Sequence, residues 1–143
     1  MNALQPWVLF ALGSAFFAGL TALFGKLGVA EINSNLATFI RTLVILAVTA
    51  AILWWRNEWR SPKTISGTTW LFLALSGLAT GMSWLCYYRA LQLGTVSKVA
   101  PIDKLSVAFA IILGLVFLKE TLTWSVALGA ALIVAGTVVI IAF

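Results

Sequence analysis

A chain of 143 residues that is 62% hydrophobic and only 9% charged exposes too much surface for its few polar groups to cover, which excludes a water-soluble domain. The formal net charge of +5 comes mostly from residues at the ends of apolar runs, so it reads as membrane anchoring, and nucleic acid is not expected as a partner. With no His, a single Cys (Cys86) and only Glu31, Glu58, Asp103 and Glu120 as acids, the chain offers no zinc set, no Cys/His nucleophile and no Gly-rich phosphate loop.

No catalytic residue, metal or cofactor is therefore expected, and the lone cysteine excludes an intrachain disulfide. The predicted class is an all-α integral membrane protein, because five apolar runs reach the roughly 20 residues that a spanning helix needs. The first covers about residues 7–28. Its leader Met1-Asn2-Ala3-Leu4-Gln5 lacks a basic segment, which argues against a cleaved signal peptide. The second covers about 36–55 and carries Arg41. A polar connector, Arg56 to Thr68, holds Pro62 and Gly67 and leads into the third span, about 69–91. The fourth covers about 96–118 and contains Pro101. Only Lys119-Glu120-Thr121 separates it from the last, about 122–143, so those two helices must be antiparallel neighbours. Trp7, Trp54, Trp55, Trp59, Trp70 and Trp124 fall at or near span ends, where amphipathic rings meet headgroups.

Orientation turns on a narrow charge balance. With a cytoplasmic N-terminus the inside loops hold Arg56, Arg60, Lys63 and Lys119; with the N-terminus outside, the inside set is Lys26, Arg89 and Lys98, with Arg41 and Lys104 deeper. The densest cluster favours N-in and C-out. Two topologies stay open: insertion both ways, or one orientation set by the second loop.

Charged residues inside the spans are the candidate pathway. Lys26, Glu31, Arg41, Arg89, Lys98, Asp103 and Lys104 all map to one side of the bilayer, and Arg41, Arg89 and Asp103 lie on the order of 7–12 Å inside their helices. Ionisable groups at that depth line a wetted cavity, pair with one another or snorkel, and a carboxylate as short as that of Asp103 reaches little. Asp103 and Lys104, adjacent and about 100° apart on a helix, are not expected to neutralise each other. Pro101, with Gly94 and Ser97 upstream, predicts a kink or a loosened stretch over Leu93 to Pro101, and interrupted helices are where transporters hold ligands. Trp84, Tyr87 and Tyr88 form an aromatic patch suited either to helix packing or to an organic ligand. Pairs of small residues four apart (Ala15/Gly19, Gly77/Gly81, Ala110/Gly114, Ala131/Ala135), with Gly129 and Gly136 seven apart, supply faces for helix association. Glu120, opening the last helix beside Lys119, is expected to act structurally at that helix N-terminus.

Several fragments in order resemble the EamA-type domain of the drug/metabolite transporter superfamily. They are Phe24-Gly25-Lys26 closing the first span, Arg41 early in the second, and Tyr87-Tyr88-Arg89-Ala90-Leu91 followed by Ser97-Lys98-Val99-Ala100-Pro101. The strongest is Leu118-Lys119-Glu120-Thr121-Leu122-Thr123 followed by Gly129-Ala130-Ala131-Leu132-Ile133-Val134-Ala135-Gly136. The resemblance covers almost the whole chain as a single domain, 1–143, and implies one repeat, half of the ten-helix transporter, like the five-helix bacterial and archaeal branch. The stretch Pro101-Ile102-Asp103-Lys104-Leu105-Ser106 departs from the general family toward that branch. The first span lacks the acidic residue on which small multidrug resistance proteins rely, which argues against proton-coupled export of cationic drugs by that mechanism.

The resulting expectation is a membrane transporter of a small organic metabolite in the cytoplasmic (inner) membrane. It would work as a homodimer, antiparallel if both orientations insert, because alternating access rocks one repeat against an inverted partner. The expected pathway residues are Asp103, Lys104, Arg41, Arg89, Lys98, Trp84, Tyr88 and Pro101, with Lys26, Glu120, Gly129 and Gly136 structural. A cationic layer favours a carboxylate, a phosphate or a zwitterion. The alternatives are a non-transporting accessory subunit and a flippase for a lipid-linked substrate.

Overall fold

The computed structural model describes residues 5–143; most of the leader discussed above, residues 1–4, lies outside the described residues. Helices account for 82% of the described residues, which form no strand. The elements are α1 (Pro6–Gly28), α2 (Ser34–Trp55), a 3-10 turn (Pro62–Thr64), α3 (Gly67–Leu93), α4 (Val96–Asp103), α5 (Ser106–Phe117) and α6 (Trp124–Ala142). With α4 and α5 taken together as Val96–Phe117, five helical segments are long and apolar enough to span a membrane.

Local chemistry explains most of the boundaries. Asn33 caps α2, its side chain accepting from the Asn35 N–H at 2.8 Å. At the other end Asn57 adopts a left-handed φ of 54°, its N–H reaching Trp54 O at 3.1 Å while the Glu58 N–H reaches Leu53 O at 3.0 Å. That pair of bonds is a Schellman ending, with Asn in place of the usual Gly. Thr123 caps α6 through the Val126 N–H at 3.4 Å. Pro6 and Trp7 begin α1, Trp54 and Trp55 end α2, and Trp124 begins α6, so the rings stand at the ends of the apolar segments.

The chain groups into two compact units, Gly25–Leu93 and the N-terminal residues through Phe24 with Gly94–Phe143. In the first, α2 packs along α3; in the second, α6 packs against α4 and α5. Buried hydrophobic residues are few: Ala22, Val29, Ala37, Tyr88 and Leu91 among the described residues. Leu, Ile, Val and Phe stand exposed along every spanning helix, as expected where lipid is the solvent.

The fourth span differs from expectation. Val96–Asp103 is regular helix, and the interruption falls after Pro101, at Lys104 and Leu105, rather than over Leu93 to Pro101. There the ladder tightens to three-residue bonds: Lys104 N to Pro101 O, Leu105 N to Ile102 O, Val107 N to Lys104 O and Ala108 N to Leu105 O, each 3.0 Å. The buried Thr137 hydroxyl shares its one proton between Ile133 O, at 2.9 Å, and Pro101 O, at 3.3 Å. Pro101 O therefore takes a backbone donor, Lys104 N, and a side-chain donor from α6 at the turn that leads into the break.

The glycines of the expected association faces fall into two groups. A methyl group added at Gly19, Gly77, Gly81, Gly129 or Gly136 would meet nothing within 4 Å, so these positions hold no close helix contact within the described chain. Close approach occurs at Gly114, one of the expected positions, where the neighbour is the Glu120 side chain, and at Gly25, which was not among them.

Candidate functional site

In the Gly25–Leu93 unit the polar side chains do two different jobs. The C-terminal turn of α3 leaves carbonyls without helical partners. Lys26 donates to one of them, Leu91 O, at 2.6 Å, and its positive charge suits the negative end of the helix. At the next residue, Gln92 Nε2 donates to Ile32 O at 2.7 Å and to Val29 O at 3.1 Å, tying the α1–α2 connection to α3. Arg89 Nη1 donates to Gln92 Oε1 at 2.9 Å, which fixes the amide so that its NH2 faces the two carbonyls. Lys26, Arg89 and Gln92 thus form a clamp on the end of α3. Arg89 is exposed and also borders an open groove of about 750 Å³ with Asn33, Ser34, Asn35 and Cys86.

Arg41 behaves otherwise. Its guanidinium carbon lies 3.6 Å from the centre of the Trp84 ring and 5.4 Å from that of Tyr88, two rings one turn apart on α3. This is a cation–π stack inside a membrane span, with Tyr88 5% exposed. Arg41 Nη1 is buried and has no hydrogen-bond partner among the described residues. Of the expected pathway residues, this unit brings Arg41, Trp84 and Tyr88 together.

The second unit holds Lys98, Pro101, Asp103 and Lys104. Lys98 is exposed. Asp103 and Lys104 flank the helix break and form an ion pair, Nζ to Oδ2 at 3.6 Å, with side chains 37% and 54% exposed respectively. Their expected independence is therefore corrected: the lysine stem is long enough to curl back over a 100° step, above all where the helix ends. The pair is long and part-exposed, so it is a weak one.

Glu120 is also displaced from its expected place. The first residue of α6 is Trp124 and its cap is Thr123, so the carboxylate does not open that helix. Glu120 folds back over the end of α5, where its Oε2 would stand 2.8 Å from a methyl added at Gly114. Lys119, with a φ of 55°, makes the turn, and the Glu120 N–H reaches Gly114 O at 3.3 Å. Gln92 is the residue that sequence reasoning missed. The available signal was its spacing of three from Arg89 on one helix face.

The chain matches the EamA-like transporter family across residues 5–142. It belongs to that family. A Sinorhizobium sp. protein described as an uncharacterized transporter in the cobO 3' region is 55% identical over 139 residues, covering 97% of this chain and 99% of that protein. No solved structure matches the chain. Five spanning helices in an EamA-like transporter make this a multi-pass membrane protein, and both comparisons support a membrane transporter.

Proposed function

We propose that this EamA-like protein carries a small organic metabolite bearing a carboxylate, a phosphate or a zwitterionic group across the cytoplasmic (inner) membrane, as a homodimer whose two copies insert in opposite orientations. The observation that carries the reading is the interrupted fourth span, where Asp103 and Lys104, paired at 3.6 Å, sit at a helix break about 10 Å from the start of the segment. Charge at such depth is costly unless wetted, and a discontinuous helix is how transporters expose polar groups to a ligand without an irregular backbone facing lipid. A single repeat of five spans lacks an inverted partner, and a second copy inserted the other way supplies one. Lys98, exposed on the same helix as Asp103, adds cationic character to the second unit, and Arg41 carries a further cation within the Gly25–Leu93 unit.

The test is uptake by the purified protein in liposomes, using labelled panels of organic acids, phosphate esters, amino acids and organic cations. Uptake of at least one anionic or zwitterionic compound is expected, with Asp103→Asn reducing it sharply while insertion and dimerisation persist. Uptake of cations alone, or of nothing in any panel, sinks the reading. Fusions at Phe143 that report one side only would remove the antiparallel homodimer and leave transport to be tested with a heteromeric partner.

A further inference from the structure

Arg41 presents a charge without an acceptor. A guanidinium carries five N–H donors in one plane, and Arg41 gives none of them to another described residue. The acids of the chain do not fill the gap among the described residues: the ion pairs present are Arg56 with Glu58 and Lys104 with Asp103. Stacking on Trp84 stabilises the positive charge through the ring face, but the N–H groups point outward in the guanidinium plane, where an aromatic face offers no acceptor. Along α2, Arg41 sits about 10 Å from Ser34, and its head is committed to a ring on the neighbouring helix rather than extended to the membrane surface. Tyr88, buried and held against Gly25, braces the same face of α3.

We propose that the Arg41 guanidinium, backed by Trp84 and Tyr88, is the binding site for the oxyanion of the transported molecule, a carboxylate or phosphate received on the unused N–H groups. This rests on the transport reading and deepens it by assigning the anionic group to one residue. The planar fork matches a two-oxygen acceptor, which an ammonium in the same place does not. The rings hold the fork in one orientation, so little side-chain freedom is lost when the anion arrives.

Binding is tested apart from transport, by thermal unfolding of the purified full chain in neutral detergent. The probes are propionate, ethyl phosphate and the uncharged propionamide. Propionate or ethyl phosphate should raise Tm with concentration where propionamide does not. Arg41→Gln should weaken that binding about tenfold to a hundredfold, the span expected for hydrogen bonds to a charged group. Arg41→Lys, which keeps the charge and loses the fork, serves where the glutamine variant fails to fold, and should also bind more weakly. A second arm places the protein in nanodiscs of phosphatidylcholine with or without phosphatidylglycerol. Stabilisation by the anionic lipid that depends on Arg41 and cancels the propionate effect would identify the oxyanion as a headgroup and still support the site. Equal response of wild type and both Arg41 variants to every anion overturns it. Loss of Arg41-dependent binding with uptake intact would sink this inference alone; binding without uptake would sink the transport reading instead.

Discussion

Gly25→Ala is expected to destabilise the protein and to disturb Arg41 at one remove. A methyl at residue 25 would stand 3.3 Å from Leu91 Cδ1, 3.3 Å from the Tyr88 hydroxyl oxygen and 3.4 Å from Tyr88 Cζ. Leu91 is fully buried and Tyr88 is 5% exposed, so neither can swing aside freely. Overpacking of a tight site costs roughly 1–3 kcal/mol. Against it stands the gain from replacing glycine in a helix, at most about 1 kcal/mol. That gain shrinks where the unfolded chain stays helical in a micelle. The net cost is therefore roughly 0–3 kcal/mol, rising toward the upper end as that gain shrinks. Gly25→Val, with two more methyls, should be plainly worse. The control is Gly114→Ala, where the atom in the way is Glu120 Oε2 at 2.8 Å, the free end of an exposed side chain. That variant should match or exceed wild type. Thermal unfolding of the three variants in one detergent gives the order, and Tyr88→Phe combined with Gly25→Ala should recover part of the loss by removing the hydroxyl. Gly25→Ala as stable as Gly114→Ala would refute the packing argument. Where Gly25→Ala folds, its Tyr88 ring has moved beside the Arg41 stack, so propionate binding should weaken too.

Removing Arg56, Arg60 and Lys63 together should drive most molecules to N-out, read by reporter fusions at Phe143; unchanged sidedness defeats the charge argument. On a Cys86→Ser background, Asp103→Cys should react with a water-soluble thiol reagent and be protected by a transported compound, while an unreactive thiol would mean that the break is dry. Glu120→Gln should change detergent stability by no more than about 0.5 kcal/mol, because the carboxylate is exposed and caps no helix, and a stable but transport-dead variant would make it a coupling residue instead. Lys119→Gly should stabilise by about 0.5–1 kcal/mol in the same unfolding assay, since the left-handed φ of 55° suits glycine; a loss would show that the lysine side chain matters more than its backbone.

The helical membrane architecture was legible in the sequence because it depends on quantities summed along the chain. Twenty apolar residues decide a span whatever lies elsewhere, and rings such as those of Trp54, Trp55 and Trp124 mark ends by their own amphipathic character. The family was legible for the same reason, through fragments read in order from Phe24-Gly25-Lys26 to Gly136. Arg41, Trp84 and Tyr88 could be singled out by their chemistry, but their meeting could not, because it depends on how α2 turns against α3. The same is true of Lys26 and Leu91, 65 residues apart, and of Gln92 with Val29, 63 apart. Where expectation failed, a local backbone turn had intervened: three-residue bonds put the break at Lys104 and Leu105, past Pro101, and Lys119 turned Glu120 back onto Gly114. Hydropathy places residues at a depth in the bilayer, whereas a hydrogen bond or a ring stack needs atoms within a few ångströms. Only the packing of one helix against another supplies that.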